Sequence, residues 1–176
     1  ALQKLGTQDA DAVIAARPDF LPSQFVFKTL SRTPLTFIAP LKHPDVIVRK
    51  KGMIDWEKTP LIIPDHGLSR ERIDQWLAKE NFVPNIYSQV AGNEAIIVMV
   101  SLGCGIGLVP RLVLEKSPFL NQVKILEETP ELPQFVIGLC TRKKNLSNPR
   151  VAALWQIAGE KYRSDAAAES CTKQHK

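Results

Sequence analysis

The chain has 176 residues, of which 44% are hydrophobic and 23% are charged, and its formal net charge is +5. This is the composition of an ordinary soluble globular protein, with enough apolar residues for one good core or two small ones. It excludes a membrane-embedded protein, because no apolar run approaches the length that spans a bilayer.

The first residues predict the end of a helix followed by a strand. Ala1 to Gly6 resembles a helix tail that has no capping residue and no initiator Met before it, so we expect the sequence to be a fragment of a longer protein. Asp11 to Ala16 is a run of small apolar residues that predicts a strand. A helix followed by such a strand is typical of parallel α/β layers.

Two further strands are predicted before the first candidate crossing between lobes. They cover Phe25 to Leu30 and Leu35 to Ala39, with a break near Ser31 to Pro34. The segment from Leu41 to Gly52 is polar, basic and contains Pro, which indicates a connection between two lobes.

A strand, a polar turn and a helix follow. Pro60 to Pro64 predicts the strand, and Ser69 is expected to cap the helix, with Leu68 and Ile73 forming a hydrophobic staple. The backbone N–H groups of such a helix start suit an anion. The alternative is that Asp65, His66 and Ser69 are only turn formers and a cap.

The segment from Gln89 to Arg111 is the most informative part of the chain. Asn93 is expected to cap a short apolar helix that Gly103 ends, and Ile106 to Val109 predicts an interior strand. The glycines at 103, 105 and 107 follow a helix rather than a strand, which argues against a dinucleotide loop and favours a tight helix-to-strand turn. The polar helix start at Gly92 and Asn93 is a second candidate anion site, and an ordinary capped helix end is the alternative.

The rest of the chain predicts two more strands and two more helices before a tail without periodicity. The expected elements are a helix at 111–116, strands at 123–126 and 135–141, and a helix opened by Asn148 and Pro149, with an acidic, Pro-bearing link at 127–133. Residues 163–176 are Ala-rich and polar, and we predict that they are disordered.

No catalytic set or metal site is expected. Asp65, His66 and Ser69 have the residue types of a catalytic triad, but three residues within one turn rarely align nucleophile, base and orienting group. The three histidines share no metal-ligand spacing with each other or with the cysteines. The three cysteines are far apart in sequence, which favours reduced thiols, and the two basic clusters lack the aromatic residues of a nucleic-acid platform.

Several motifs give the chain a family resemblance. They include Gly6-Thr7-Gln8-Asp9-Ala10, Phe37-Ile38-Ala39-Pro40, Pro64-Asp65-His66-Gly67, Arg72-Ile73-Asp74-Gln75-Trp76, Gly92-Asn93-Glu94-Ala95 and the glycine-rich run from Val100 to Pro110. With them, Ala1 to Tyr162 resembles the effector-binding domain of LysR-type transcriptional regulators. The Gly-Asn-Glu-Ala motif and Glu115 to Pro118 resemble the branch that activates expression of acetohydroxy acid isomeroreductase.

The resemblance implies an α/β fold, a two-lobed regulatory domain like the type 2 periplasmic binding proteins, here truncated at its N-terminus. The implied divisions are a partial first lobe at 1–40, a second lobe at 41–132, a return to the first lobe at 133–162 and a tail at 163–176. The positions that match the family's ligand pocket are Ser31, His66, Gly67, Leu68, Ser69, Gly92 and Asn93.

The resemblance also implies a function and partners. It implies a cytoplasmic, non-enzymatic activator without a cofactor, which forms dimers or tetramers and controls branched-chain amino acid biosynthesis genes. The implied inducer is a small 2-hydroxy acid such as acetolactate or acetohydroxybutyrate, and DNA is expected to bind only through a helix-turn-helix domain that this chain lacks. A stand-alone solute-binding protein of the same fold is the alternative.

Overall fold

Residues 2–159 are described by a computed structural model, except for the side chains of residues 2 and 3. The chain divides into two units, one formed by the chain up to Arg32 and from Phe135 onwards, the other by Thr33–Gln134. The first division thus falls eight residues before the expected one at Pro40. The predicted disordered tail lies outside the described residues.

Within the described residues, the first unit contains a three-stranded sheet, two α-helices and a short 3-10 helix at Lys143–Ser147. Strand β1 (Ala12–Ala16) pairs antiparallel with β10 (Phe135–Arg142), and the strand order is β1-β10-β2, with β2 covering Phe25–Thr33. Helix α1 (Leu2–Gly6) precedes β1. The sequence had suggested a parallel layer here, and this was wrong, because β1 pairs antiparallel with β10, a strand from the distant C-terminal part of the chain.

The last helix, α5 (149–159), belongs to this unit and begins as predicted. The Asn148 side-chain Oδ1 accepts the backbone N–H of Arg150 at 3.0 Å, which is the hydrogen bond of an N-cap. Farther along the helix, Lys28 Nζ donates to the Trp155 carbonyl at 2.6 Å and lies 4.7 Å from the Trp155 ring centroid. Strand β2 therefore holds the middle of α5 through one lysine.

The second unit is built on a five-stranded sheet in the order β7-β6-β8-β3-β9. Strand β6 is parallel to both β7 and β8, and β3 is antiparallel to β8 and β9. The bounds are β3 Leu35–Pro40, β6 Leu61–Pro64, β7 Ile86–Val90, β8 Ile106–Pro110 and β9 Val123–Ile125. The helices are α2 Leu68–Leu77, α3 Asn93–Ser101 and α4 Arg111–Glu115.

Strand β3 joins the second unit because it pairs with two of its strands. The chain stays within this unit after β3. The basic segment from Leu41 to Gly52 is therefore not a crossing between lobes, contrary to the expectation. Part of it forms a hairpin that the sequence analysis missed, with β4 at Arg49–Lys50 and β5 at Met53–Ile54.

The two main helices of this unit cover opposite faces of the sheet. Phe37 of β3 packs against Trp56 and Trp76, with ring centroids 5.1 and 5.5 Å away, and Trp76 belongs to α2. The next residue, Ile38, lies in the buried cluster that contains Ile96 and Val100 of α3. Because successive strand residues point to opposite faces, α2 and α3 lie on different sides.

The turn from α3 to β8 uses glycine as predicted. Gly103 follows the last helical turn with a φ of +83°, a conformation that L side chains rarely adopt. Gly107 lies where a β-carbon would come within 2.5 Å of Ile96 Cγ2. The glycines thus serve a tight helix-to-strand connection and close packing of α3 on β8.

Candidate functional site

Two helices of the second unit begin at the same edge of the sheet. Strands β6 and β7 are adjacent and parallel, and α2 and α3 start directly after their carboxyl ends. The backbone N–H of Asp65 donates to the Val90 carbonyl at 3.1 Å, which joins the two loops where they leave the strands. In parallel α/β sheets, this edge is where ligands bind.

The start of α2 has no side-chain cap. Gly67 is the N-cap residue, with a φ of +86°, and its carbonyl accepts the N–H of Glu71 at 3.0 Å. Ser69 had been expected to cap the helix, but it lies one position inside it, so that expectation was wrong. The predicted staple between Leu68 and Ile73 fails with it, because both residues are already helical.

The start of α3 has the same form. Gly92 is the N-cap residue, with a φ of +88° and no side-chain hydrogen bond, and Asn93 is the first helical residue rather than the predicted cap. A β-carbon on Gly92 would lie 3.6 Å from Glu94 Oε2, so this carboxylate folds back towards the loop. In both helices, the first backbone N–H groups are left without a capping side chain.

The start of α4 differs and provides a comparison within the same sheet edge. The Thr33 hydroxyl accepts the N–H of Leu112 at 3.0 Å, and the Pro34 carbonyl accepts the N–H of Arg111 at 2.9 Å. The first donors of α4 are therefore already used. Free N–H groups and the helix dipole favour an anion at α2 and α3, where no such partner is present among the described residues.

Asp65 and His66 add a hydrogen-bonded pair to this edge. His66 Nδ1 lies 2.6 Å from Asp65 Oδ1, and the histidine side chain is 78% exposed. An imidazole held through Nδ1 presents Nε2 to solvent or to a ligand. Ser69 is nearly buried, and within the described chain its hydroxyl has no hydrogen bond to His66, so the nucleophile–base contact of a hydrolase is not formed here.

The remaining candidate residues are placed as follows. His66 and Gly67 are exposed, Leu68 is half-buried, and Gly92 and Asn93 lie at the edge described above. Ser31 is an exposed residue within β2, near the end of that strand and in the first unit, and the predicted break reduces to Pro34. Arg17, which follows β1, has its guanidinium 5.8 Å from the Phe27 ring centroid.

Two residues near the edge were missed by the sequence analysis. Thr33 is buried and holds the start of α4, as described above. Arg70, in the first turn of α2, donates from Nη1 to Gln89 Oε1 at 2.6 Å and from Nε to Asp74 at 2.8 Å. The four-residue spacing between Arg70 and Asp74 predicts an ion pair on one face of a helix. The hydrogen bond from Arg70 to Gln89 could not be predicted in this way, because it depends on β7 lying beside β6.

The described residues contain no group of three or more acidic, histidine or cysteine side chains that could hold a metal ion. Cys104 and Cys140 are free thiols, and burial raises the pKa of the Cys140 thiol above its usual value. Within residues 2–159, no helix is both long enough and apolar enough to cross a membrane.

Comparison with known proteins identifies the family. The profile described as LysR substrate binding domain matches residues 1–163. The chain is 40% identical over 164 residues to the HTH-type transcriptional regulator IlvY of Escherichia coli K12, covering 89% of this chain and 54% of that protein. It is 38% identical over 159 residues to the HTH-type transcriptional activator IlvY of Haemophilus influenzae, covering 89% of this chain and 54% of that protein.

Solved structures show the same fold. The regulatory domain of CcmR from Synechocystis PCC6803, in complex with 2-PG, has a TM-score of 0.74 at 15% identity, covering 90% of this chain and 76% of that one. The effector binding domain of QuiR in complex with shikimate has a TM-score of 0.64 at 21% identity, covering 99% of this chain and 77% of that one.

The chain spans about half the length of the curated relatives it matches. The family profile, however, matches nearly the whole chain, and the two-unit α/β fold agrees with that match. The chain belongs to the LysR substrate-binding domain family.

Proposed function

We propose that this chain is the effector-sensing part of a LysR-type transcriptional activator. Its effector is a small 2-hydroxy acid such as acetolactate or acetohydroxybutyrate, and the genes it controls are those of branched-chain amino acid biosynthesis. The relatives support this proposal, since those that are 38–40% identical are named as the transcriptional regulator or activator IlvY.

One structural observation carries the proposal. Helices α2 and α3 begin side by side at one sheet edge, each at a glycine and each without a capping side chain. Their free N–H groups and dipoles favour the carboxylate of such an acid, most of all at α2, because Glu94 already places a negative charge beside the start of α3. His66 supplies a polar group for the hydroxyl or the ketone, and Ser69 and Asn93 lie in the first turns of the two helices.

Partners and location belong to the same proposal. We infer a cytoplasmic homodimer or homotetramer, and DNA binding by a helix-turn-helix segment that is not among these 176 residues. Effector binding then changes promoter activation rather than catalysing a reaction. Ser31 of the first unit is proposed as a further ligand contact on the basis of the family resemblance.

A calorimetric titration of the full-length protein with acetolactate tests the proposal. Acetoin is the matched control ligand, because it keeps the hydroxyl and the ketone but lacks the carboxylate. We expect acetolactate to bind at least about tenfold more tightly than acetoin, since the lost interaction is a charge-assisted one. Equal binding of the two ligands, or no binding of either, would refute the proposed anion site.

A substitution in the protein, rather than a change of ligand, tests the same anion site. Asn93→Asp adds a negative charge at the first residue of α3 with almost no change in shape. It is expected to weaken acetolactate binding at least about tenfold, because it brings a like charge to the ligand carboxylate. The helix itself should remain stable, because the helix dipole favours a negative charge at this position. Asn121→Asp is the control, since Asn121 lies beside the opposite edge of the sheet, next to Gln122, whose carbonyl accepts the Leu41 N–H.

If acetolactate bound well but had no effect on transcription from any promoter, a stand-alone solute-binding protein would become the better-supported function. A promoter-reporter assay with and without acetolactate distinguishes the two.

A further inference from the structure

A second cavity lies in the same unit, between α3 and α4, and one of its lining residues, Glu94, also reaches the loop at Gly92. Its volume is about 410 Å³, within the range of small-molecule sites. Its walls are mostly apolar and include Val98 of α3, Val113 of α4 and Phe119 of the following loop. Val113 and Phe119 also pack against the buried core of α3 and the sheet, so this wall is fixed by the fold.

Two side chains of opposite charge line this cavity, one from each helix. Glu94 belongs to the first turn of α3 and Lys116 follows the last turn of α4. Within the described chain, neither charged group has a hydrogen-bonding or ion-pair partner, and they do not pair with each other. Arg111 and Glu115, on the same helix α4, pair with each other at 3.0 Å, whereas Glu94 and Lys116 are both exposed and available to a ligand.

This combination favours a ligand with both charges and an apolar body. Glu94 disfavours a simple carboxylic acid, and Lys116 disfavours a simple amine, because each would bring a like charge close to the cavity. A zwitterion can satisfy both groups at once. The apolar wall then has room for a short aliphatic side chain, whose burial adds a favourable contribution.

We propose that the cavity between α3 and α4 binds a free α-amino acid with an apolar side chain. The ligand carboxylate pairs with Lys116 Nζ, and the ligand ammonium pairs with the Glu94 carboxylate. Its side chain packs on Val98, Val113 and Phe119. The Ser117 hydroxyl, which accepts the N–H of Phe119 at 3.2 Å, still has its own proton to donate to the ligand carboxylate.

Calorimetric titration of the full-length protein with L-leucine tests this site. The matched ligands are 4-methylpentanoic acid, which lacks the ammonium, and isopentylamine, which lacks the carboxylate. We expect L-leucine to bind about two- to fivefold more tightly than either analogue, because each loses one ion pair. Absence of L-leucine binding at about 10 mM, or equal binding of all three ligands, would overturn the proposal.

Variants of the lining residues test whether L-leucine binds in this cavity. Lys116→Met is expected to weaken L-leucine binding about two- to fivefold, and Val98→Trp, which fills the cavity, is expected to remove binding. Lys124→Met, in the exposed part of β9, is the control with the same loss of charge. Glu94→Gln should reduce the preference for L-leucine over 4-methylpentanoic acid. If L-leucine binding is unchanged in both Lys116→Met and Val98→Trp, the amino acid binds elsewhere and this assignment is wrong.

Discussion

The backbone N–H of Asp65 donates to the carbonyl oxygen of Val90 at 3.1 Å, and this bond brings two helix starts together. Asp65 follows β6 and Val90 ends β7, so the loops to α2 and α3 leave adjacent strands at the same edge. Neither helix start is capped by a side chain, whereas that of α4 is held by Thr33. Strand pairing, rather than sequence proximity, therefore creates the candidate anion site.

The glycines at these helix starts give the first prediction. Gly67 has a φ of +86° and a ψ of −175°, a conformation that is essentially limited to glycine. A β-carbon at Gly67 would meet no atom within 4 Å, so Gly67→Ala causes backbone strain without a clash. We expect it to lower the free energy of unfolding by about 1–3 kcal/mol and to weaken acetolactate, because the first N–H groups of α2 turn away.

Urea denaturation and calorimetry measure the two effects of Gly67→Ala. The control is Gly6→Ala, since Gly6 also has open space but no positive φ. Gly6→Ala is expected to change stability by less than about 1 kcal/mol. Unchanged stability and affinity in Gly67→Ala would show that the backbone at this helix start is not constrained as described.

The interior of the second unit was largely predictable from the sequence. Strand β8 was predicted from Ile106 to Val109 with Pro110 as its end, and all five residues are buried. A continuous apolar run of this length is typical of an interior strand that is covered on both faces. Gly103 also ended α3 as predicted, because a positive φ at that point favours glycine over any other residue.

The helix starts were predicted less well, and the reason is physical. Ser69 and Asn93 are good capping residues by type, but a glycine precedes each helix and takes the cap position with a positive φ. The polar residues are then moved into the first turn, and the N–H groups stay uncapped. Sequence rules identify which residues favour a helix cap. They do not show that the loops before α2 and α3 lie side by side, because this depends on the strand order β7-β6-β8, which is non-local.

A buried aromatic cluster under α2 gives the second prediction. The Trp76 ring lies 4.8 Å from Trp56 and 5.5 Å from Phe37, and the residue is only 6% exposed. Trp76→Ala is expected to lower the free energy of unfolding by about 3–5 kcal/mol, because it removes these contacts and leaves a cavity. Val83→Ala, at a residue 80% exposed, is the control and should cost less than about 0.5 kcal/mol. Chemical denaturation followed by circular dichroism measures both, and similar losses in the two variants would contradict the packing.

The start of α4 gives the third prediction. The hydroxyl of Thr33 is buried and accepts the Leu112 N–H at 3.0 Å. Thr33→Val keeps the shape of the side chain but leaves this donor without its partner, so we expect a loss of about 1–2 kcal/mol in the free energy of unfolding.

Thr36→Val is the matched variant for this measurement. Thr36 is also nearly buried and lies in β3, the next strand along the chain, but its hydroxyl makes no hydrogen bond within the described chain. Urea denaturation should therefore give a smaller loss for Thr36→Val than for Thr33→Val. The reverse order would show that the Thr33 hydroxyl does not hold the start of α4.

The Cys140 thiol gives the last prediction, which concerns pH. Cys140 is fully buried in β10, and desolvation raises its pKa, because the thiolate is disfavoured in an apolar site. The folded state therefore holds its proton at a pH where the unfolded chain has released it. This contribution to stability is fully present below the unfolded pKa and is lost as the pH rises through the raised folded pKa.

Cys140→Ala should have a smaller alkaline loss of stability than the parent protein in urea denaturation between about pH 7 and pH 10. Equal alkaline slopes in the two proteins would mean that the thiol titrates alike in the folded and unfolded states.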